Sequence, residues 1–299
     1  MKQIPVIFSL AISAFAMSCG TTEEKPPMEA VPVETNTTTD TSEVYDKARN
    51  VFYSMPSPLE LTNLIKNAGG SYRKDLLNDP NKAGIYHSTQ KQALALGLYG
   101  ADLSYAGVHH QQNDAMKFLA AAKRIGDQLG IQDAFRAELI ERANNNMVER
   151  DSMLAIMTEM YWHTNSQLKE ESRDQIALLV MAGGWAEGIY LGTQFLDEKS
   201  LDSKIAQRVA EQVYTSNQLR EMFDYYESDP MIQEARPMFQ PVFDLFASLE
   251  LTETDATISK NKKSGVHTIG GLNTISFNPA EMLKLKQLAL DLRNEILKP

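Results

Sequence analysis

LALGLYGADLSYAGV at Leu94–Val108 and IALLVMAGGWAEGIYLGTQFL at Ile176–Leu196 are the stretches whose reading decides the fold. Both are apolar almost all the way round, rich in Gly and Ala, and each carries one acid, Asp102 and Glu187. A helix that is apolar on every face is buried on every face. Glycine in a helix interior costs about 1 kcal/mol relative to Ala, so its repeated use predicts backbones that approach closely, here each other's. The second stretch has 21 residues, enough to cross a bilayer. Against a crossing, Glu187 would lie near the bilayer centre at a cost of several kcal/mol, and Trp185 sits mid-stretch rather than at an interface. The expectation is therefore a pair of core helices.

The two stretches also share a pattern. Ala101, Asp102, Tyr105 and Gly107 align with Ala186, Glu187, Tyr190 and Gly192 at an offset of 186 − 101 = 85 residues, and Gln90 aligns with Gln175. An internal duplication, with the two helices meeting near a pseudo-twofold axis, would produce this; so would coincidence. No 34-residue period supports a tetratricopeptide array.

Outward from this pair the chain reads as an all-α, multi-helix bundle of about nine helices. Ser57, Pro58 and Glu60 supply an N-cap, a first-turn proline and an acidic third position, and Gly69-Gly70 stop that helix. Apolar spacing predicts further helices over 89–107, 113–129, 132–147, 151–163, 172–196, 201–226 (with a break near Ser216) and 231–249. Asn278, Pro279 and Glu281 repeat the cap before a last helix running to about Leu297. Pro237 and Pro241 lack amide hydrogens and predict a break or start within 231–249. The exception is a polar connection near 255–277, a long loop or short hairpin in which Gly270-Gly271 is suited to a two-residue turn and Lys260, Lys262 and Lys263 cluster as candidate binding residues.

The N-terminus carries an address. Lys2, an apolar run from Ile4 to Met17 and then Ser18-Cys19-Gly20 have the layout of a secretory signal, too short to span a bilayer. Cys19 is the one cysteine in the chain. The segment resembles lipoprotein signal peptides, with Ala16 where Leu is usual. That resemblance implies cleavage after residue 18, acylation of Cys19 with chains such as palmitate, and a lipid anchor in the membrane. Gly20 rather than Asp after the cysteine favours the outer membrane. Residues 19–42 are rich in Thr, Glu and Pro and read as a disordered tether, leaving 43–299 as the helical domain.

Composition bounds the partners. The formal charge is −10, and removing residues 1–18 takes it to 28 − 39 = −11, which argues against nucleic acid. No phosphate-binding glycine loop, G-x-S-x-G, paired CxxC or H-E-x-x-H occurs, so no metal or cofactor is expected. His110 and Asp114 have a metal-like spacing but read better as polar residues at a helix end.

The whole chain is similar to all-helical lipoproteins of Bacteroidota-type bacteria, through the signal ending SCG, the Thr/Pro tether, MPSPLEL at 55–61 and the YGADLSYAG and AGGWAEG segments. The resemblance implies an envelope location and no particular activity. Two readings follow. One is a non-catalytic binding or scaffold domain for an envelope protein or small ligand, with Tyr105, Trp185 and Tyr190 as candidate contacts. The other is an envelope hydrolase, directed at glycan, using Asp102 and Glu187. Burying either acid demands a partner, for which tyrosine hydroxyls, the Trp185 indole or backbone amides are the nearest supply.

Overall fold

The computed structural model describes residues 58–145, 150–197, 203–249 and 277–299, together with four short strands between 251 and 275. The described residues belong to one compact unit. Cys19, the tether, Lys262 and Lys263 lie outside them.

Ten α-helices occur among the described residues: α1 Pro58–Asn67, α2 Thr89–Val108, α3 Gln112–Gln128, α4 Ala137–Asn145, α5 Arg150–Glu170, α6 Asp174–Thr193, α7 Lys204–Ala210, α8 Gln212–Tyr225, α9 Pro230–Ala247 and α10 Pro279–Ile296. The all-α bundle expected from the spacing is the fold found, with one helix more because 201–226 divides at Glu211, earlier than Ser216. Single 3-10 turns at Lys74–Leu76 and Pro80–Gly84 lead from α1 to α2. The Asn278 cap is complete: its side chain accepts from the Glu281 amide while Glu281 accepts from the Asn278 amide.

The centre of the bundle is α2 against α6. A Cβ on Gly97 would lie 1.8 Å from the Val180 carbonyl oxygen, and one on Gly183 would lie 2.0 Å from that of Leu94, so only glycine permits these backbones to touch. Further along, Asp102 and Glu187 share one hydrogen-bond donor, the Asn78 side-chain nitrogen. The contacts advance in the same direction on both helices, which therefore run parallel. All of α6 that is apolar enough for a bilayer is buried inside the protein, so the core reading holds.

The two central helices have equal length, 20 residues, and their boundaries differ by the same 174 − 89 = 85 residues. The preceding helices, α1 and α5, each pack on both members of the pair. Beyond that the surroundings diverge, because α3 covers α2 whereas α10, α7 and α8 cover α6. The two central helices thus match in length and spacing, while the elements that cover them differ.

Two expectations need correction. α9 runs unbroken through Pro237 and Pro241. These prolines stand four residues apart on the exposed face, where water can satisfy the carbonyls they leave unpaired. Ile232, Ala235, Phe239, Val242, Phe243 and Phe246 bury the other face and hold the helix against that penalty. The second correction concerns Gly270-Gly271, which is not a two-residue turn between paired neighbours. β3 (His267–Gly270) pairs antiparallel with β2 (Thr257–Lys260), placing Gly270 opposite Thr257 and Lys260 opposite His267. β4 (Thr274–Ile275) pairs with β1 (Leu251–Thr252).

Candidate functional site

Asp102 on α2 and Glu187 on α6 are both 0 % exposed. Their equivalent positions on parallel helices bring them together a little over one turn past the glycine contact. Asn78, from the connection between α1 and α2, reaches both: its side-chain amide donates to Asp102 Oδ2 at 2.7 Å and to Glu187 Oε1 at 3.4 Å, and its backbone N–H donates to Asp102 Oδ2 at 3.1 Å. Arg293, on α10, closes the group. Its Nε donates to Glu187 Oε2 at 2.8 Å and its Nη2 to the Leu76 carbonyl at 2.9 Å. The guanidinium lies 4.2 Å from the centre of the Tyr190 ring, within cation–π reach.

This geometry fixes the proton inventory. Asp102 Oδ1 has no hydrogen-bond partner among the described residues, while the Asn78 side-chain nitrogen bridges Asp102 Oδ2 and Glu187 Oε1. Two buried carboxyl groups that share one donor disfavour ionising together. Burial, and then the neighbouring Glu187 charge, push Asp102 well above its ordinary range, with Arg293 and Asn78 opposing. Burial raises Glu187 as well, but Arg293 acts directly against it. Burial disfavours the Arg293 cation, and the Glu187 charge overrides this to raise its affinity for its proton. Of the two acids, Asp102 is the one driven harder toward its neutral form, while Arg293 holds Glu187 toward the carboxylate.

Of the partners expected from sequence, a backbone amide does serve Asp102, but the tyrosines and Trp185 do not serve either acid. Tyr105 donates instead to the Ser71 carbonyl at 2.7 Å and accepts from the Arg73 amide. Tyr190 offers Arg293 its ring face. Trp185 turns toward α9, its ring 6.0 Å from Phe243 and 5.9 Å from Phe246. The decisive partners, Asn78 and Arg293, belong to no sequence motif. Arg293 is separated from Glu187 by 106 residues, and the one available signal was an arginine at a position of α10 that should face the core.

No family model, curated protein or solved structure matches this chain. Function therefore has to be argued from the site. Among the described residues no three His, Cys, Asp or Glu side chains are grouped to hold a metal ion. Asp114 is engaged by two other side chains. It accepts from Tyr72 at 2.8 Å and Lys74 at 2.7 Å, and although burial works the other way, these bonds hold it below its ordinary range. His109, half-buried at the end of α2, is pushed down to about 4 by burial and by the positive charge of Lys66 and His110.

Proposed function

We propose that the chain is a lipoprotein of the bacterial envelope, cut before Cys19, acylated there and held on the outer membrane, whose helical domain is a non-catalytic binding or scaffold module. The signal layout of residues 1–20 supports the anchor. The observation that carries the non-catalytic part is the closure of the Asp102–Glu187 pair. A glycosidase keeps its two carboxyl groups about 5–9.5 Å apart with sugar or water between them. Here the two groups share the Asn78 side-chain nitrogen, both are sealed from solvent, and Arg293 holds Glu187 Oε2. Such an arrangement ties α2, α6, α10 and the α1–α2 connection together. It leaves binding to the outer surface.

The test has two parts. Cells fed a fatty-acid analogue should label the protein, and Cys19→Ala should release it from membranes; a wild type found soluble would overturn the anchor. Asp102→Asn should retain binding of whatever the domain recognises. Glycan turnover by the wild type that disappears in Asp102→Asn without a change in melting temperature would favour the hydrolase instead.

A further inference from the structure

A cavity of about 80 Å³ lies beside α2, between that helix, α3 and α5. Leu96, Leu103, Phe135 and Val180 line it, with Met157 and Met160 of α5, and all six are buried. Three other lining residues reach solvent: Thr158 is exposed, and Gly100 and Tyr161 are half-buried. These mark its mouth.

The chemistry of the lining is apolar. Among the described residues no charged side chain lines the cavity, and its aliphatic hydroxyls are turned away from it. Ser104 Oγ donates to the Gly100 carbonyl at 2.8 Å, Thr158 Oγ1 to that of Leu154 at 2.8 Å and Thr164 Oγ1 to that of Met160 at 2.9 Å. Each of these protons is spent on its own helix, four residues back. A buried water needs about two to four polar partners, and these hydroxyls offer it no donor. The space suits carbon.

Gly100 gives an independent sign that the space is kept. In α2 and α6 a Cβ on Gly97, Gly107, Gly183, Gly188 or Gly192 would meet a neighbour at 1.8–3.0 Å, so helix packing accounts for each of these glycines. A Cβ on Gly100 would meet nothing within 4 Å. Packing does not ask for glycine there, and glycine is among the poorest helix formers. What the missing side chain leaves free is the mouth of the cavity.

We infer that this cavity receives the end of one unbranched alkyl chain, from a single-chain amphiphile whose polar head stays in water at the mouth formed by Gly100, Thr158 and Tyr161. Size selects a chain over a ring, because a dry cavity that holds benzene measures about 150 Å³ and this one has about 80 Å³. At roughly the 30 Å³ that a water molecule takes in the liquid, about three carbons fit. Met157 and Met160, unbranched and polarizable, adapt to a chain that shifts within the space. The inference deepens the binding reading proposed above by naming a ligand class, and it rests on that reading.

The experiment is NMR of the methionine ε-methyl groups in the full chain with Cys19→Ala, free of detergent that would compete for the cavity. The probes are ethanol, 1-propanol, 1-butanol, 1-hexanol and cyclohexanol. The Met157 and Met160 signals, assigned with Met157→Leu and Met160→Leu, should move saturably, with affinity rising about fourfold per methylene up to 1-butanol and little beyond. Cyclohexanol should bind at least about tenfold more weakly than 1-hexanol. Gly100→Ala should weaken 1-butanol by about fourfold while melting at or above the parent temperature, and Gly100→Leu should abolish the shifts; if Gly100→Leu does not fold, Gly100→Ala decides. The inference is overturned if the two signals do not move, if affinity ignores chain length, if cyclohexanol binds as well as 1-hexanol, or if Gly100→Ala binds as tightly as the parent. None of these failures touches the anchor, which Cys19→Ala tests by itself, or a partner bound elsewhere on the outer surface.

Discussion

Replacing Arg293 with Met tests the proton inventory of the buried group. The substitution removes the cation beside Glu187 and the donor to the Leu76 carbonyl. Glu187, 0 % exposed, must then take up a proton on folding. From an ordinary value of 4.5 to pH 7, that costs about 1.36 × 2.5, or roughly 3 kcal/mol. The unsatisfied Leu76 carbonyl adds about 1–3 kcal/mol, so the expected loss at pH 7 is about 4–6 kcal/mol, close to what breaking a buried ion pair costs. A carboxyl whose folded pKa is raised stabilises the fold below its unfolded pKa and loses that contribution as pH rises toward the folded value. At pH 5 the proton term therefore shrinks to about 0.7 kcal/mol and the total to about 2–4 kcal/mol. Urea unfolding of wild type and variant at pH 5 and pH 7 measures the difference. An equal loss at both pH values would refute the assignment of a charged Glu187 held by Arg293, because packing and a neutral hydrogen bond carry no such pH dependence.

The same inventory makes Asp102→Asn mild, within about 1 kcal/mol, because an amide can accept from Asn78 and, like the neutral acid, adds no charge beside Glu187. It should also flatten the decline in stability above pH 4 that the raised Asp102 gives wild type, and a pair of urea series in which the slopes coincide would count against a protonated Asp102. Gly97→Ala should lower the melting temperature by about 5 °C or more, since its Cβ would meet the Val180 carbonyl at 1.8 Å. Gly100→Ala, three residues on, has nothing within 4 Å and faces a cavity of about 80 Å³, so it should raise stability by up to about 1 kcal/mol; a thermal melt of each variant checks the contrast. Pro241→Ala restores an amide hydrogen within α9 and should be stabilising by about 1 kcal/mol or more, with calorimetry as the check. Asn278→Ala removes the cap of α10 and should cost about 1 kcal/mol.

Much of the fold was determined by local sequence. The all-round apolar composition of 94–108 and 176–196 required burial, and caps such as Asn278-Pro279-Glu281 fixed where helices begin, because these effects act within a turn or two of chain. The shared spacing of Asp102 and Glu187 even marked the positions that come to face each other. Tertiary structure alone decided what surrounds them. Arg293 and Asn78 are isolated polar residues in sequence, and only the packing of α10 and the α1–α2 connection onto α6 and α2 brings their donors within reach. The same holds for Pro237 and Pro241, whose local penalty is outweighed by the aromatic face that the same helix buries in the bundle. Hydrogen-bond and charge partners in a buried site are set by distances in space, and those are short only after the apolar faces have chosen their neighbours.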